Sequence, residues 1–282
     1  MFKKSVKAIS FAMIILSIML SVFAFSAEDS FAVSSGRVKY IAHRGWSYKA
    51  PENSLAAFKL AAKGKRFYGV EFDVWEASYK KGSDPLILVM HDQNISRMCG
   101  VSADIRKINR SRLKRYRIRY GNNVSQYKGQ RIPTVEKAID TIYNNSKGAI
   151  PVIELKHRLS KRALKYLLKY LDGCDAVVIS FDFDAVADTV KMAKKMGISD
   201  SISTMYLVSN FSSSDCSSTI RKMRPAGIDC ISINYSYIDK KTVRAFHKAK
   251  MEVGAWTLPN KATANYYVKM GVDYITANGR VW

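Results

Sequence analysis

The chain has 282 residues, of which 48% are hydrophobic, 11% aromatic and 24% charged. This composition excludes a disordered or fibrous protein, and the length suits one barrel-sized domain or two smaller ones. Lysine and arginine number 46 against 23 acidic residues, which gives a net charge of +23. The charge favours anionic partners, such as phosphate esters or an anionic cell-wall or membrane surface. No motif supports a nucleic-acid partner, and no obligate protein partner is indicated.

The beginning of the chain resembles a secretory signal peptide. Three lysines precede an apolar run over residues 8–25, and small residues then lead to an acidic pair. We expect cleavage after Ser26 or Ala27. The alternative is an uncleaved membrane anchor, because the run approaches the roughly 20 residues that span a bilayer. We therefore predict a signal peptide or anchor over residues 1–27, a linker over residues 28–36 and a folded part that is secreted or extracytoplasmic.

Nine short apolar runs typical of β-strands follow, and amphipathic helical patterns separate most of them. Ser160 and Asp239 are predicted as N-caps of two of these helices. Strands that alternate with helices indicate a parallel sheet, and this number over residues 37–282 predicts a (β/α)8 TIM barrel with one run outside it. The runs cover residues 38–42, 69–74, 86–90, 150–155, 176–180, 204–208, 229–233, 253–257 and 273–276.

Two segments break the alternation of strands and helices. Residues 75–85 have no helical pattern and are predicted as a loop that joins two strands. Residues 92–131, after the third strand, form a polar and basic insertion with eight lysines and arginines between Ile105 and Tyr120. A long insertion after a barrel strand usually lies over the active-site mouth. We expect the basic run to be a solvated face of this insertion, and a docking patch is the alternative.

Four cysteines are present, and an exported location permits disulfides. The chain has no C-x-x-C pair, which argues against a zinc or thioredoxin-like site. We expect free or buried cysteines, and a bridge between Cys216 and Cys230 is the alternative.

Histidines, carboxylates and basic side chains end the first four strands. The carboxyl ends of barrel strands meet at one rim, and residues i and i+2 on a strand point to the same face. We therefore expect these side chains to lie close together at that rim. They are His43 and Arg44 on the first strand, Glu71 and Asp73 on the second, His91 on the third, and Glu154 and Lys156 on the fourth.

Three carboxylates in one pocket repel one another unless a cation lies among them, which indicates Mg²⁺ or Ca²⁺. A structural cluster neutralised by Arg44 and Lys156 is the alternative. Two histidines at the same rim favour catalysis, since imidazole acts as base or acid near neutral pH. Arginine and lysine are suited to hold a phosphate. The pattern predicts a site for metal-assisted cleavage of a phosphodiester.

Short motifs follow one another along the chain in a fixed order. They are I-A-H-R-G (41–45), A-P-E-N-S (50–54), G-V-E-F-D-V (69–74), V-M-H-D (89–92), R-I-P-T-V-E (131–136), V-I-E-L-K (152–156), A-W-T (255–257) and G-V-D (271–273). The set resembles the glycerophosphodiester phosphodiesterase family, whose motifs include A-H-R-G, A-P-E-N-T, G-V-E-L-D-V, I-E-I-K and G-V-D-G-I-I-T-D. Each motif alone is weak, but the ordered set is specific and covers almost the whole mature chain.

The resemblance implies a TIM barrel that hydrolyses small glycerophosphodiesters to glycerol phosphate and an alcohol with a divalent cation, Ca²⁺ or Mg²⁺. Either water or the glycerol hydroxyl of the substrate attacks the phosphorus. The implied roles are His43 and His91 as the acid and base, Glu71, Asp73 and Glu154 as metal ligands, Arg44 and Lys156 on the phosphate, and Trp256 beside the leaving group. Two alternatives are a phospholipase- or sphingomyelinase-D-like enzyme and a non-catalytic barrel that binds polyanions.

The chain departs from the family motifs at several loops. These are a longer loop around residues 80–84, Met98–Cys99 in place of a threonine pair, residues 258–260, and residues 275–278, where aspartate and proline are usual. We expect these loops to shape the pocket and to leave the chemistry untouched.

Four polar residues near the motifs are assigned structural roles. Glu52 and Asn53 are expected to cap the helix that follows them and to hold the His43 loop. We expect His157 to lie in a solvated loop and His247 on a solvated helix face.

Overall fold

The computed structural model describes residues 38–281, so the predicted signal peptide or anchor and the linker lie outside the described residues. Within this range, nine strands form one sheet. They are β1 (Lys39–Ala42), β2 (Phe67–Glu76), β3 (Ile87–Val89), β4 (Ile150–Leu155), β5 (Ala176–Ser180), β6 (Ile202–Val208), β7 (Cys230–Asn234), β8 (Glu252–Leu258) and β9 (Tyr274–Ala277).

Eight of these strands are parallel and close a barrel. The order is β1-β9-β8-β7-β6-β5-β4-β2, and pairing of β1 with β2 completes the circle. The (β/α)8 TIM barrel predicted from the alternating pattern is therefore confirmed.

The helices of the described residues lie between successive strands. They are α1 (Leu55–Lys63), α2 (Ser96–Cys99), α3 (Arg110–Leu113), α4 (Val135–Tyr143), α5 (Lys161–Tyr170), α6 (Phe183–Met196), α7 (Cys216–Ala226), α8 (Lys240–Lys248) and α9 (Lys261–Met270). Both predicted caps are confirmed: Ser160 Oγ accepts from the Ala163 N–H, and the Asp239 carboxylate accepts from the Thr242 N–H. No helix within residues 38–281 combines the length and the hydrophobicity needed to cross a membrane.

The run outside the barrel is β3, which pairs antiparallel with the end of β2. Val74 lies opposite Val89 in this hairpin, and the Met90 N–H donates to the Asp73 carbonyl at 3.0 Å. The expectation that His91 ends a barrel strand is therefore wrong, because β3 runs in the opposite direction to the barrel strands. His91 reaches the rim because the hairpin returns the chain to the level of Asp73.

The insertion over residues 92–131 has a small apolar core of its own, which packs on the β2–β3 hairpin. Its eight basic side chains between Ile105 and Tyr120 are all exposed, in agreement with a solvated face. The Asn122 and Asn123 side chains donate to the carbonyls of the loop after β1. The core residues include Ile95, Met98, Cys99, Ile105, Ile108 and Ile118, against Trp75, Leu86, Leu88 and Met90.

All four cysteines lie within the described residues, and all are free. Cys99, Cys216 and Cys230 are buried, and Cys174 is half-buried. The alternative bridge between Cys216 and Cys230 is therefore not formed.

Candidate active site

Three carboxylates meet inside the barrel at its carboxyl-terminal rim. On β2 the apolar residues alternate with Glu71 and Asp73, so both acids face the interior while Phe72 packs outward against the helices. Glu154 on β4 lies opposite Asp73 in the strand pairing. The exposed fractions are 1%, 0% and 6%, and one oxygen from each carboxylate lies within 4.8 Å of the others.

The pKa values of these carboxylates are shifted from their ordinary values. Burial raises the pKa of Glu71 well above its ordinary value, and repulsion from Asp73 and Glu154 adds to the rise. Burial and the charge of Asp73 raise the pKa of Glu154 to about 7. Burial acts in the same direction on Asp73, but Lys156 and Arg44 outweigh it and hold its pKa below the ordinary value.

Two carboxylate oxygens of the cluster accept no hydrogen bond within the described residues. Glu71 Oε1 and Asp73 Oδ1 are buried and accept no hydrogen bond from any residue in 38–281. A buried, unsatisfied anionic oxygen is costly, and a cation among the three carboxylates would satisfy both atoms. Hard oxygen donors of this kind suit Mg²⁺ or Ca²⁺, so the residues present fit a divalent cation.

A tight turn after β1 brings the backbone up to this cluster. Arg44 and Gly45 have φ of 57° and 75°, in the left-handed region. The turn lets the Arg44 N–H donate to Glu71 Oε2 at 2.6 Å and the Gly45 N–H donate to the Glu71 carbonyl at 2.9 Å. A Cβ on Gly45 would lie 2.8 Å from the backbone of Ala57, so both conformation and space require glycine.

Two basic side chains flank the carboxylates. Arg44 Nη1 lies 3.0 Å from Glu52 Oε1, and Arg44 Nε lies 3.5 Å from Asp73 Oδ2. Lys156 Nζ lies 2.7 Å from Glu154 Oε1 and 3.4 Å from Asp73 Oδ1. These contacts agree with the alternative in which the two cations neutralise the acids, but neither cation donates a hydrogen bond to Glu71 Oε1 or Asp73 Oδ1.

The ring of His43 is held in place by Asn278, a residue at which the chain departs from the family motifs. Its Nδ1 lies 2.6 Å from Asn278 Oδ1, and since that oxygen only accepts, Nδ1 carries the proton and Nε2 is left bare. Burial and the positive charge of Arg44 lower the pKa of His43 to about 4. His43 is therefore neutral at pH 7. The expectation that all departures at residues 275–278 avoid the chemistry is wrong, because Asn278 touches this histidine directly.

His91 begins a chain of charged contacts that leads back to Arg44. Its Nδ1 lies 2.7 Å from Asp92 Oδ1, and Asp92 Oδ2 accepts from Arg97 Nε at 2.5 Å. Arg97 Nη2 donates to Glu52 Oε1 at 2.6 Å, and that oxygen also accepts from Arg44. These contacts join the insertion to the loop after β1. The series begins at His91 and ends at Arg44, and both are predicted site residues.

The cap expected at Glu52 and Asn53 is wrong. Ser54 is the N-cap of α1, and its hydroxyl accepts from the Ala57 N–H, because serine is a favoured cap and glutamate is not. Asn53 instead holds Asp73, since its Nδ2 donates to Asp73 Oδ2 at 2.7 Å and its Oδ1 accepts from the Asp73 N–H. The expectation that these residues support the His43 loop agrees with the Glu52–Arg44 contact.

Aromatic side chains complete the rim. Trp256 is half-buried, and its Nε1 donates to the Ser232 carbonyl at 3.0 Å. Its ring packs edge-on against Phe181. His157 lies in the loop after β4, as expected, but it is half-buried there: it stacks on Trp75 with ring centroids 5.2 Å apart, and burial lowers its pKa.

His247 lies on the exposed face of α8, as expected, and pairs there with Asp273 at 2.9 Å.

Comparison with known proteins agrees with this geometry. The glycerophosphoryl diester phosphodiesterase family matches residues 43–278, from the first histidine to the asparagine that holds it. The chain belongs to this family. It is accordingly a phosphoric diester hydrolase of the glycerophosphodiester phosphodiesterase type.

Bacterial relatives match over most of their own length. YhdW of Bacillus subtilis is 28% identical over 246 residues, which are 84% of this chain and 93% of that protein. A glycerophosphodiester phosphodiesterase of Caldanaerobacter subterraneus is 24% identical over 83% of this chain and 91% of its own. A solved phosphodiesterase of Oleispira antarctica in complex with the product sn-glycerol-3-phosphate superposes with a TM-score of 0.70, at 24% identity, over 87% and 95% of the two chains.

Proposed function

We propose that the chain hydrolyses glycerophosphodiesters to glycerol phosphate and an alcohol with the help of a divalent cation. One observation carries the proposal: three buried carboxylates have oxygens within 4.8 Å of one another, and two of their oxygens accept no hydrogen bond within the described residues. Two histidines, an arginine and a lysine lie around them. The bound product of the Oleispira antarctica relative supports glycerol phosphate as the product class.

Glu71, Asp73 and Glu154 would hold the cation. Burial raises the pKa values of Glu71 and Glu154, and repulsion from Asp73 adds to both shifts. A positive ion relieves that repulsion, and both Ca²⁺ and Mg²⁺ take such oxygen ligands. When bound, the cation polarises a phosphoryl oxygen and balances the charge that develops on it.

Arg44 and Lys156 bind the phosphate in this mechanism. Their charged ends lie next to Asp73 on either side, so positive charge is placed at the rim before substrate arrives. Preorganised cations of this kind stabilise the extra negative charge of a phosphoryl transition state. Trp256 lies on the side of the leaving alcohol.

The two histidines transfer the protons. His43 Nε2 is bare and takes the proton from the attacking hydroxyl, as that oxygen bonds to phosphorus. His91 carries a proton on each ring nitrogen in this step: Nδ1–H donates to Asp92, and Nε2 gives its proton to the leaving alcohol oxygen as the bond of that oxygen to phosphorus breaks. Where the attacking group is the glycerol hydroxyl of the substrate, a cyclic phosphate forms, and water opens it with the two histidines in exchanged roles.

The location of the enzyme is part of the same proposal. The basic start, apolar run and small residues over 1–27 support export, either with cleavage or with the segment kept as an anchor. Sequencing the amino terminus of the exported protein tests this. A terminus at residue 27 or 28 supports cleavage, a fractionation with intact membranes and an unprocessed terminus supports the anchor, and recovery from the cytoplasm contradicts both.

The experiment that tests the activity is a release assay on glycerophosphodiesters with different alcohols, alongside intact phospholipids and sphingomyelin. We expect glycerol phosphate and the free alcohol from the deacylated diesters only. Cleavage confined to the intact lipids would favour the phospholipase- or sphingomyelinase-D-like alternative. Binding of polyanions with no release from any diester would favour the non-catalytic barrel.

A further inference from the structure

A groove of about 590 Å³ lies on the flank of the barrel, away from the carboxylate cluster. Seven of the eight barrel strands are followed by a helix within the described residues, but the chain after β9 continues to residue 281 without one. The groove lies among the turn after α1, the first residue of α9 and the segment after β9. We call it the flank groove; its walls include Trp46, Lys65, Arg66, Phe67, Lys261 and Arg280.

The charged residues of the flank groove are all positive. Lys65, Arg66, Lys261 and Arg280 are exposed, and no carboxylate lines the groove among residues 38–281. None of the four forms an ion pair within that range. Most cations near the catalytic centre are paired with carboxylates, so these four leave a concentrated positive potential that attracts an anion.

One wall of the groove is aromatic. The Trp46 ring packs edge-on against Phe67, and the Arg280 guanidinium lies 5.5 Å from the centre of the Trp46 ring. The positive charge of Arg280 therefore lies beside an aromatic ring at one wall of the groove, and the Arg280 side chain stays exposed there.

Two wall residues of the flank groove lie close in sequence to residues of the catalytic rim. Trp46 comes two residues after Arg44, and Arg280 comes two residues after Asn278, which holds His43 at 2.6 Å. Two residues span at most about 7 Å. One end of the groove therefore lies beside the loop that positions the predicted base.

We propose that the flank groove binds a second phosphate of a substrate that is a chain of phosphodiester-linked units, while the catalytic centre cleaves a neighbouring linkage. This rests on the proposed phosphodiester hydrolysis and names a class of substrate for it. A recessed groove with cations on its walls suits a flexible anionic chain better than the plane of a membrane. The hydrolysis is unchanged: water adds across one P–O bond, and an alcohol and a phosphate monoester result.

A two-substrate comparison tests the proposal. The substrates are a glycerophosphodiester with one phosphate and an oligomer of about six phosphodiester-linked glycerol units. The groove variant is Lys65→Gln with Arg66→Gln, and the matched control is Lys191→Gln with Lys195→Gln. Both control lysines are exposed on α6, which packs on β5 and β6 across the barrel from β1 and β9.

Each exposed charge–charge contact changes a binding constant by a factor of up to about five. We therefore expect the groove variant to lower the ratio of kcat/KM for the oligomer to kcat/KM for the one-phosphate diester by about tenfold, and the control variant to leave this ratio at the wild-type value. An equal ratio in wild type and groove variant overturns the proposal, even where the one-phosphate diester is cleaved well.

Direct binding separates this proposal from the proposed activity. The Kd of the oligomer for the full chain, measured by calorimetry, should rise about tenfold in the groove variant and not in the control, whether or not the oligomer is cleaved. An unchanged Kd overturns the second phosphate site. Loss of binding to vesicles of anionic phospholipid in the groove variant, with unchanged oligomer binding, also overturns it and points to a membrane surface instead.

Discussion

Replacing Asn278 with aspartate tests how a neutral amide sets the protonation of His43. The substitution keeps the shape of the side chain and its acceptor oxygen 2.6 Å from His43 Nδ1, but it adds a negative charge. Opposite unit charges about 4 Å apart attract by about 4 kcal/mol at an effective dielectric constant of about 20. Each pH unit corresponds to about 1.36 kcal/mol, so this sets an upper limit of about three units.

Residue 278 is exposed, so solvent screens the new carboxylate and weakens that attraction. We expect the Asn278→Asp change to raise the pKa of His43, now about 4, by about one to two pH units. Neutral His43 is the proposed base, so a higher pKa removes the active form at higher pH. The acid limb of the kcat/KM profile should therefore move to higher pH by the same amount.

Two measurements check this result. The His43 ring protons are titrated by NMR, and kcat/KM is followed against pH at saturating cation, so that the carboxylate ligands stay ionised. Asn278→Ala is the control, because it removes the acceptor without adding charge. In this variant the acid limb of the kcat/KM profile should not move to higher pH, and kcat should fall because the His43 ring loses its orientation. A His43 titration in Asn278→Asp that matches wild type would refute the electrostatic reasoning.

Further changes test other parts of the site. His43→Ala and His91→Ala should each lower kcat by about 100-fold or more with unchanged circular dichroism, and near wild-type turnover in either folded variant would show that the histidine is misassigned. Gly45→Ala should lower the free energy of unfolding in urea by about 1–3 kcal/mol, because φ is 75° and the methyl group would lie 2.8 Å from Ala57; no change would contradict the steric argument. The pKa of Glu154 rises to about 7 on folding, so the metal-free protein binds more protons when folded, and its free energy of unfolding should fall as pH rises from about 4.5 to about 7. Saturating Ca²⁺ or Mg²⁺ should abolish that slope, and a rise in stability across the same window would be the opposite of the expected sign.

The strands were predictable because barrel strands are buried on both faces and read as continuous apolar runs. Residues 150–155 and 176–180 match β4 and β5 in the structure at both ends. The direction of β3 could not be predicted from its three-residue core alone, but the helix-free loop predicted before it was a signal for a hairpin, since parallel neighbours need a longer crossover. An apolar run of that length fits a barrel strand or a hairpin strand equally, and pairing with β2 decides between them.

The carboxylate cluster was predictable for a local reason. Glu71 and Asp73 are two residues apart on one strand, so they share a face whatever else the chain does. Asn278 and Arg97 could not be placed in the same way, since their contacts to His43 and Glu52 join residues 235 and 45 positions apart. Such contacts depend on closure of the barrel and on the path of the insertion.

A local signal for the helix cap was available, and it indicated Ser54 instead of the expected Glu52 and Asn53. Serine is a preferred N-cap, and Ser54 stands directly before the first apolar residue of α1. Applying that rule leaves Glu52 and Asn53 free for tertiary contacts, which is where the structure has them.

Release of glycerol phosphate by the metal-free enzyme, before and after a cation is added back, tests the central claim most directly. The protein is treated exhaustively with chelator, its metal content is verified, and Ca²⁺ or Mg²⁺ is then titrated into wild type, Glu71→Gln and the exposed control Asp200→Asn. We predict that metal-free wild type is inactive, that a cation restores wild type and the control, and that Glu71→Gln recovers at least about 100-fold less activity. Full activity of verified metal-free wild type would contradict the account.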